Sequence, residues 1–162
     1  MPVGFKAFKY QPYDVDAFDK PLDRAIKKIG GSMLSDYELT FQTWDHKPVF
    51  TMVFERRLGA RRVTVGTDDE IYGYVERGTP PHTIRPRRAK YLRFREAYGR
   101  KTRVGNLRSY RGGGVGRFVY RQRVRHPGTK PRDFTKLVVK NAKRIAAKEI
   151  QGTITATIDG MH

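Results

Sequence analysis

Nearly all of the net charge of this chain sits in one third of its length. From Arg77 to Arg132, 18 lysines and arginines face a single acid, Glu96, so this stretch carries +17 of the total formal charge of +18. The remaining residues hold 16 basic and 15 acidic side chains and are close to neutral. So one-sided a segment repels itself, and it needs either an anionic partner or full exposure to water. That segment is therefore expected to meet a partner.

With 162 residues, 38% of them hydrophobic and 12% aromatic, one core is within reach, and residues 1–162 are expected to form a single domain. There is no cysteine, hence no disulfide, thiol nucleophile or thiolate metal site, which suits a reducing compartment. No apolar run approaches the ~20 residues that span a bilayer. Lys6 and Lys9, set among aromatics, do not make the apolar core of a signal peptide. The expectation is a soluble, unprocessed chain with no membrane partner.

Residues 1–18 mix aromatics with Pro2 and Pro12 without a clean period and are expected to be an arm. Asp19 is placed to cap a helix whose first turn tolerates Pro21 and Asp23. Leu22, Ile26, Ile29, Met33, Tyr37, Phe41 and Trp44 then recur at three- and four-residue spacing, one apolar stripe on a helix over 19–44. Gly30 and Gly31 interrupt it, each costing about 1 kcal/mol relative to Ala, so a kink is expected. Ser35 and Glu38 have the spacing of a capping box that would restart the helix.

After Asp45–Pro48 the period changes to two. Residues 49–55 and 62–67 are rich in β-branched and aromatic side chains and flank a glycine-containing connection, the pattern of an antiparallel hairpin. Asp68 and Asp69 can cap a short helix carrying Ile71, Tyr74 and Val75, ended by Gly78. Residues 91–94 and 118–124 are expected to be strands, so that the sheet draws on 49–94 and 118–124. Between them, 95–117 holds six glycines and seven basic residues with few aliphatics, a composition for a long mobile loop or an extended hairpin projecting from the domain. Pro127 and Gly128 suit the centre of a type II turn. Asp133 can cap a helix over 133–150 that bears Phe134, Leu137, Val138, Ile145 and Ala146 and stops at Gly152. In the tail, 151–162, residues 153–158 alternate like a short strand. The fold class is α+β: a small antiparallel sheet packed by a long N-terminal helix and a second helix near the C-terminus, with one basic protrusion.

Catalysis finds little support. His46, His82, His126 and His162 fall at unrelated spacings and match no ligand pattern. His46 and His126 stand beside turn residues, where a structural hydrogen bond is the commoner role. Asp68, Asp69 and Glu70 are adjacent, as a helix cap explains better than a metal cluster. Ser32, Ser35 and Ser109 occupy no nucleophile elbow. Gly112–Gly116 lacks the Lys-Ser/Thr of a phosphate loop and reads as a flexible tip. No catalytic, cofactor-binding or metal-binding residue is expected.

Nucleic-acid binding carries more weight. Arg87, Arg88, Arg93, Arg95, Arg100, Lys101, Arg103, Arg108 and Arg111 alternate with Tyr91, Phe94, Tyr98 and Tyr110, a composition for phosphate contact and base stacking. The competing expectation is that strand aromatics, Tyr91 and Phe94 above all, pack inward while the arginines are solvated. No signature of base-specific recognition accompanies them.

From Trp44 to Phe134 an ordered series of fragments stands out: Trp44, His46-Lys47-Pro48, Thr67-Asp68-Asp69-Glu70-Ile71, Tyr74-Val75-Glu76-Arg77-Gly78-Thr79, Pro81-His82-Thr83-Ile84-Arg85-Pro86, Ala89-Lys90, Leu92-Arg93-Phe94 and His126-Pro127-Gly128-Thr129-Lys130. The series resembles the tail components named after gene product ten of a lambda-like phage, the neck or tail-completion proteins of long-tailed bacteriophages. The resemblance implies a non-enzymatic α+β subunit that assembles in the host cytoplasm and resides in the virion at the head-tail junction. It implies a homo-oligomeric ring, expected to be hexameric, between the connector or stopper and the tail terminator or tail tube, with double-stranded DNA passing non-specifically through its channel. Glu76, Gly78, Thr79, His126, Pro127, Gly128 and Thr129 match the family motifs and are interpreted as turns and caps that set interface geometry. The basic loop residues expected to meet partner or DNA are Arg95, Arg100, Lys101, Arg103, Arg108, Arg111 and Arg117. The alternative is a sequence-independent nucleic-acid-binding module that uses the same loop on phosphates.

Overall fold

Helix α1 (Val15–Phe41) runs antiparallel to helix α3 (Phe134–Asp159), and the hairpin of β1 (Thr51–Arg57) and β2 (Ala60–Gly66) packs on α1. The computed structural model describes residues 15–57 and 59–160. Most of the expected N-terminal arm, and His162, lie outside them. The short helix α2 (Glu70–Arg77) leads into β3 (His82–Ile84), β4 (Leu92–Gly99), β5 (Gly113–Arg121) and β6 (Val124–His126). The class is α+β, and among the described residues the strands form three separate two-stranded antiparallel ladders, β1-β2, β3-β6 and β4-β5, in place of one sheet.

The stripe on α1 meets the other elements in one aromatic cluster. Tyr37, Phe41, Trp44, Tyr72, Phe134 and Val138 are buried together, with Phe50, Val65 and Leu107 among the side chains packed against them. Tyr72 is its centre, with the rings of Phe50, Phe134 and Trp44 at centroid distances of 4.9, 5.8 and 5.9 Å. Burial drives the Tyr72 phenol well above its ordinary pKa, so it stays a neutral hydroxyl, 3.1 Å from the fully buried Thr40 hydroxyl. Of the three residues the sequence put on the apolar side of α2, Val75 packs against the core, Ile71 and Tyr74 are half exposed, and the large buried side chain is Tyr72. Tyr72 and Val75, three residues apart, share the face that α2 turns to the core.

Three helix boundaries differ from expectation. Helix α1 begins at Val15, so Asp19 lies inside it; instead of capping, Asp19 pairs with Arg56 and Arg61, and Asp23 accepts Arg61 Nε at 2.9 Å. The helix also runs unbroken through Gly30 and Gly31 and stops at Phe41, not Trp44. Gly30 is there for space: a Cβ on it would collide with Val63 Cγ2 and lie 2.7 Å from Met52 Sδ. Helix α3 continues past Gly152 through the expected strand 153–158. There the Thr153 and Thr157 hydroxyls donate to the Glu149 and Thr153 carbonyls, 2.7 and 2.8 Å away, and the segment lies along α1. Packing on a neighbouring helix overrides the β-type alternation of those residues.

Candidate interaction site: a basic ribbon anchored at both ends

Gly78 and Gly128 make the root of the ribbon. Both have positive φ, 74° and 85°, and they flank the Thr79–Thr129 bridge, whose amides donate to each other's carbonyls at 3.0 and 2.9 Å. A Cβ at either would press on the opposite strand, 2.8 Å from Pro131 N or from the Pro80 carbonyl carbon, so only glycine allows this approach. Gly128 N–H donates to His126 Nδ1 at 3.1 Å, closing the Pro127-Gly128 turn. His126 pairs with His82 across β3-β6, their rings 5.1 Å apart.

Glu76 joins this root to α3. Asp133 stands at the N-cap position with φ 54° and its side chain makes no capping bond, contrary to the expectation that it would cap. The Glu76 carboxylate accepts the Phe134 and Thr135 amides instead. At the other helix Asp69 does cap α2: Oδ1 accepts the Tyr72 amide at 2.7 Å while Oδ2 meets His46 Nε2 at 2.5 Å. That amide first, and then His46, hold the Asp69 carboxyl below the usual range.

From the root the ribbon passes through β3-β6 into β4-β5, with a bulge between Arg95 and Ala97. Both faces of β4-β5 are exposed. Phe94, Tyr98, Val115, Phe118 and Tyr120 all meet solvent, so the expected inward packing of Phe94 does not occur, and neither does that of Tyr91. The guanidinium groups of Arg93 and Arg95 each lie 3.9 Å from the Phe118 ring centroid, and Arg95 also donates to the Gly116 carbonyl at 2.7 Å. Arginine stacking takes the place of a second protein layer.

The segment 95–117, expected as a long mobile loop or an extended hairpin projecting from the domain, is hairpin strand at its two ends, while its middle does not project. Residues 100–112 fold back on the domain: Ser109 N–H donates to the Leu39 carbonyl at 3.0 Å, Thr43 Oγ1 donates to the Tyr110 carbonyl at 2.7 Å, and Leu107 joins the core cluster. Lys101 pairs with Asp45 at 2.9 Å, which lowers the Asp45 pKa. Arg103 stacks on Tyr110, with 4.6 Å to the ring centroid, and Arg117 pairs with Glu96 at 3.1 Å. Four of the seven expected contact residues, Arg95, Lys101, Arg103 and Arg117, are therefore held within the chain. Arg100, Arg108 and Arg111 have no acidic partner among the described residues. Arg132 was not singled out from the sequence, because an arginine between Pro131 and Asp133 gives no local signal of burial; it is 6% exposed.

Tip and root converge, since Tyr98, Arg100, Lys101 and Thr102 line the same cleft as Thr79 and His126–Arg132. The chain matches no protein-family model, no curated protein and no solved structure.

Proposed function

We propose that this chain is a structural, non-enzymatic subunit of the head-tail junction of a long-tailed bacteriophage. There it forms one copy of a ring, expected to be of six, that joins the tail tube to the head connector around the DNA channel. The observation that carries this reading is the β4-β5 ribbon: a two-stranded ladder with both faces exposed, cationic, and bearing unsheltered aromatics. An isolated two-stranded ladder is marginal in water, and such a surface is completed by a partner. The motif residues of the resemblance support it as well. Glu76, Gly78, Thr79, His126, Pro127, Gly128 and Thr129 come together at the root that aims the ribbon.

Magnitude decides where most of the charge is directed. A compact chain of this length is about 40 Å across, and duplex DNA carries one charge per ~1.7 Å, so a ring that thick encloses roughly 24 phosphates. Six copies of a +17 segment bring about 102 charges, of which the enclosed DNA neutralises at most about a quarter. The larger share of the arginines meets acidic surfaces of neighbouring neck or tail proteins.

The test replaces Arg100, Arg108 and Arg111, which have no acidic partner among the described residues, by Ser. The variant should fold and yet fail to join heads to tails in an assembly assay; normal virion yield would remove the segment from the mechanism. Sequence-independent nucleic-acid binding is a second reading, favoured by the exposure of Tyr98 and Tyr120 beside arginines. Tight binding of duplex DNA by the isolated protein, with no attachment to tail tubes, would select it.

A further inference from the structure

Where the ribbon's root meets its returning tip, the surface encloses an open cleft of about 820 Å3. Trp44, Ile71 and Tyr98 supply an apolar side, Arg100, Lys130 and Arg132 a cationic one, and among the described residues no aspartate or glutamate lines it. Arg132 sets its chemistry. Nε donates to Thr102 Oγ1 at 3.0 Å and Nη1 to the Lys130 carbonyl at 2.8 Å, so neutral groups orient the guanidinium without neutralising it. Among the described residues no carboxylate lies within ion-pair distance of Arg132, and Nη2 makes no hydrogen bond. Lys101 at the edge is different, being matched by Asp45.

A cation buried without a counter-ion is among the least favourable arrangements a fold can retain. Burial, and then the charge of Arg100, lower the Arg132 pKa, yet a guanidinium stays protonated. The cleft is thus a preformed positive site whose fork geometry matches a carboxylate.

We propose that this cleft receives a carboxylate carried on an extended acidic peptide segment of a neighbouring protein. Arg132 binds it at the floor, Arg100 and Lys130 at the rim, and the wall of Trp44 and Ile71 takes an adjacent apolar side chain. Depth favours a peptide over duplex DNA. Duplex phosphates are fixed on the outside of a stiff helix and reach only the rim, whereas a carboxylate on a flexible stem reaches Arg132. The source of the peptide rests on the reading of this chain as an assembly subunit; the preference for a carboxylate rests on the cleft itself.

Trp44 is the chain's single tryptophan, so its emission reports the cleft. The whole protein in ~0.15 M salt is titrated with a blocked hexapeptide alternating glutamate and leucine, and with its glutamine counterpart. The glutamate peptide should shift Trp44 emission saturably and the glutamine peptide should not. Arg100→Ser combined with Lys130→Ser, both at exposed positions, should weaken binding by about tenfold or more with the melting temperature unchanged. Arg132→Lys, which keeps the charge and loses the fork, should weaken it as well; should that variant fail to fold, the exposed pair decides alone. Equal response to the glutamine peptide, no response up to about 1 mM, or unchanged affinity in the double variant overturns the proposal. So does short duplex DNA that shifts Trp44 more tightly than the glutamate peptide. Because the readout is binding by the isolated protein, failure here and failure of head-tail joining are told apart.

Discussion

The carboxylate of Glu76, near the end of α2, accepts the Phe134 amide at 2.7 Å through Oε2 and the Thr135 amide at 3.0 Å through Oε1. A residue 58 positions away thus caps α3, and its own carbonyl also accepts the Arg132 and Asp133 amides at 3.0 and 3.3 Å. Phe134, the first residue of α3, is fully buried, so the cap fixes how the helix enters the core. Glu76→Ala should cost about 2 kcal/mol, read as a lower urea midpoint, and Glu76→Gln roughly half of that. An alanine variant within about 0.5 kcal/mol of the parent would make the cap idle.

Two adjacent glycines should respond in opposite directions. Gly31 has open space around a would-be Cβ and a helical backbone, so Gly31→Ala should stabilise by about 0.5–1 kcal/mol. Gly30→Ala drives a methyl into Val63, whose branched side chain cannot turn aside, and should destabilise the protein despite the same gain in propensity. Thermal melts of the two variants decide; equal shifts would disprove the close approach of β2 to α1.

At the ribbon's root, Gly128→Ala combines a positive φ with backbone contact against Pro80 and should cost about 2 kcal/mol or more. Because the Thr79–Thr129 bridge lies beside it, amide exchange at Thr79 and Thr129 should accelerate before that of α1. Uniform acceleration across the molecule would mean that the root is not a separate unit.

Asp69 gives the acid limb of stability a definite sign. Its folded pKa lies below the ordinary 3.8, so its contribution is complete above that value and is lost as pH falls through the folded one. Asp69→Asn retains a capping acceptor and should flatten the fall in melting temperature between about pH 4 and pH 2. Asp69→Ala should lower stability at neutral pH as well. An acid limb unchanged in the asparagine variant would assign it to other carboxylates.

The cluster of Asp19, Asp23, Arg56 and Arg61 joins α1 to the β1-β2 hairpin. Arg61→Ala should destabilise the protein, and the difference from the parent should shrink in about 1 M salt, where screening acts over ~3 Å. A difference independent of salt would point to lost packing of the arginine stem instead.

Much of this fold is legible in the chain because its elements repeat at short range: the stripe from Leu22 to Phe41, the alternation of the β1-β2 hairpin, and the Asp69 and Gly78 limits of α2. The misreadings have long-range causes. Residues 153–158 alternate like a strand, yet they stay helical because α1 lies alongside. Phe94 follows a strand period, but among the described residues no layer lies beneath it and its ring stays exposed. Asp19 resembles a cap until Arg56 and Arg61, more than 30 positions away, approach it. The basic ribbon was legible from charge. Its attachment was not, because Leu107, Ser109 and Tyr110 look like any loop residues until Leu39 and Thr43 are brought beside them.

Attachment at two places changes what the ribbon can transmit. A hairpin joined only at its base hinges when pushed, and its far end drifts while the base stays still. Here the segment from Thr79 to Thr129 is a closed strap, fastened at one side through Gly78 and Gly128 and at the other through Ser109 and Tyr110. A pull on the β4-β5 ladder between these fastenings loads the end of α1 and the start of α3 at once, so the strap bears tension where a free arm would bend.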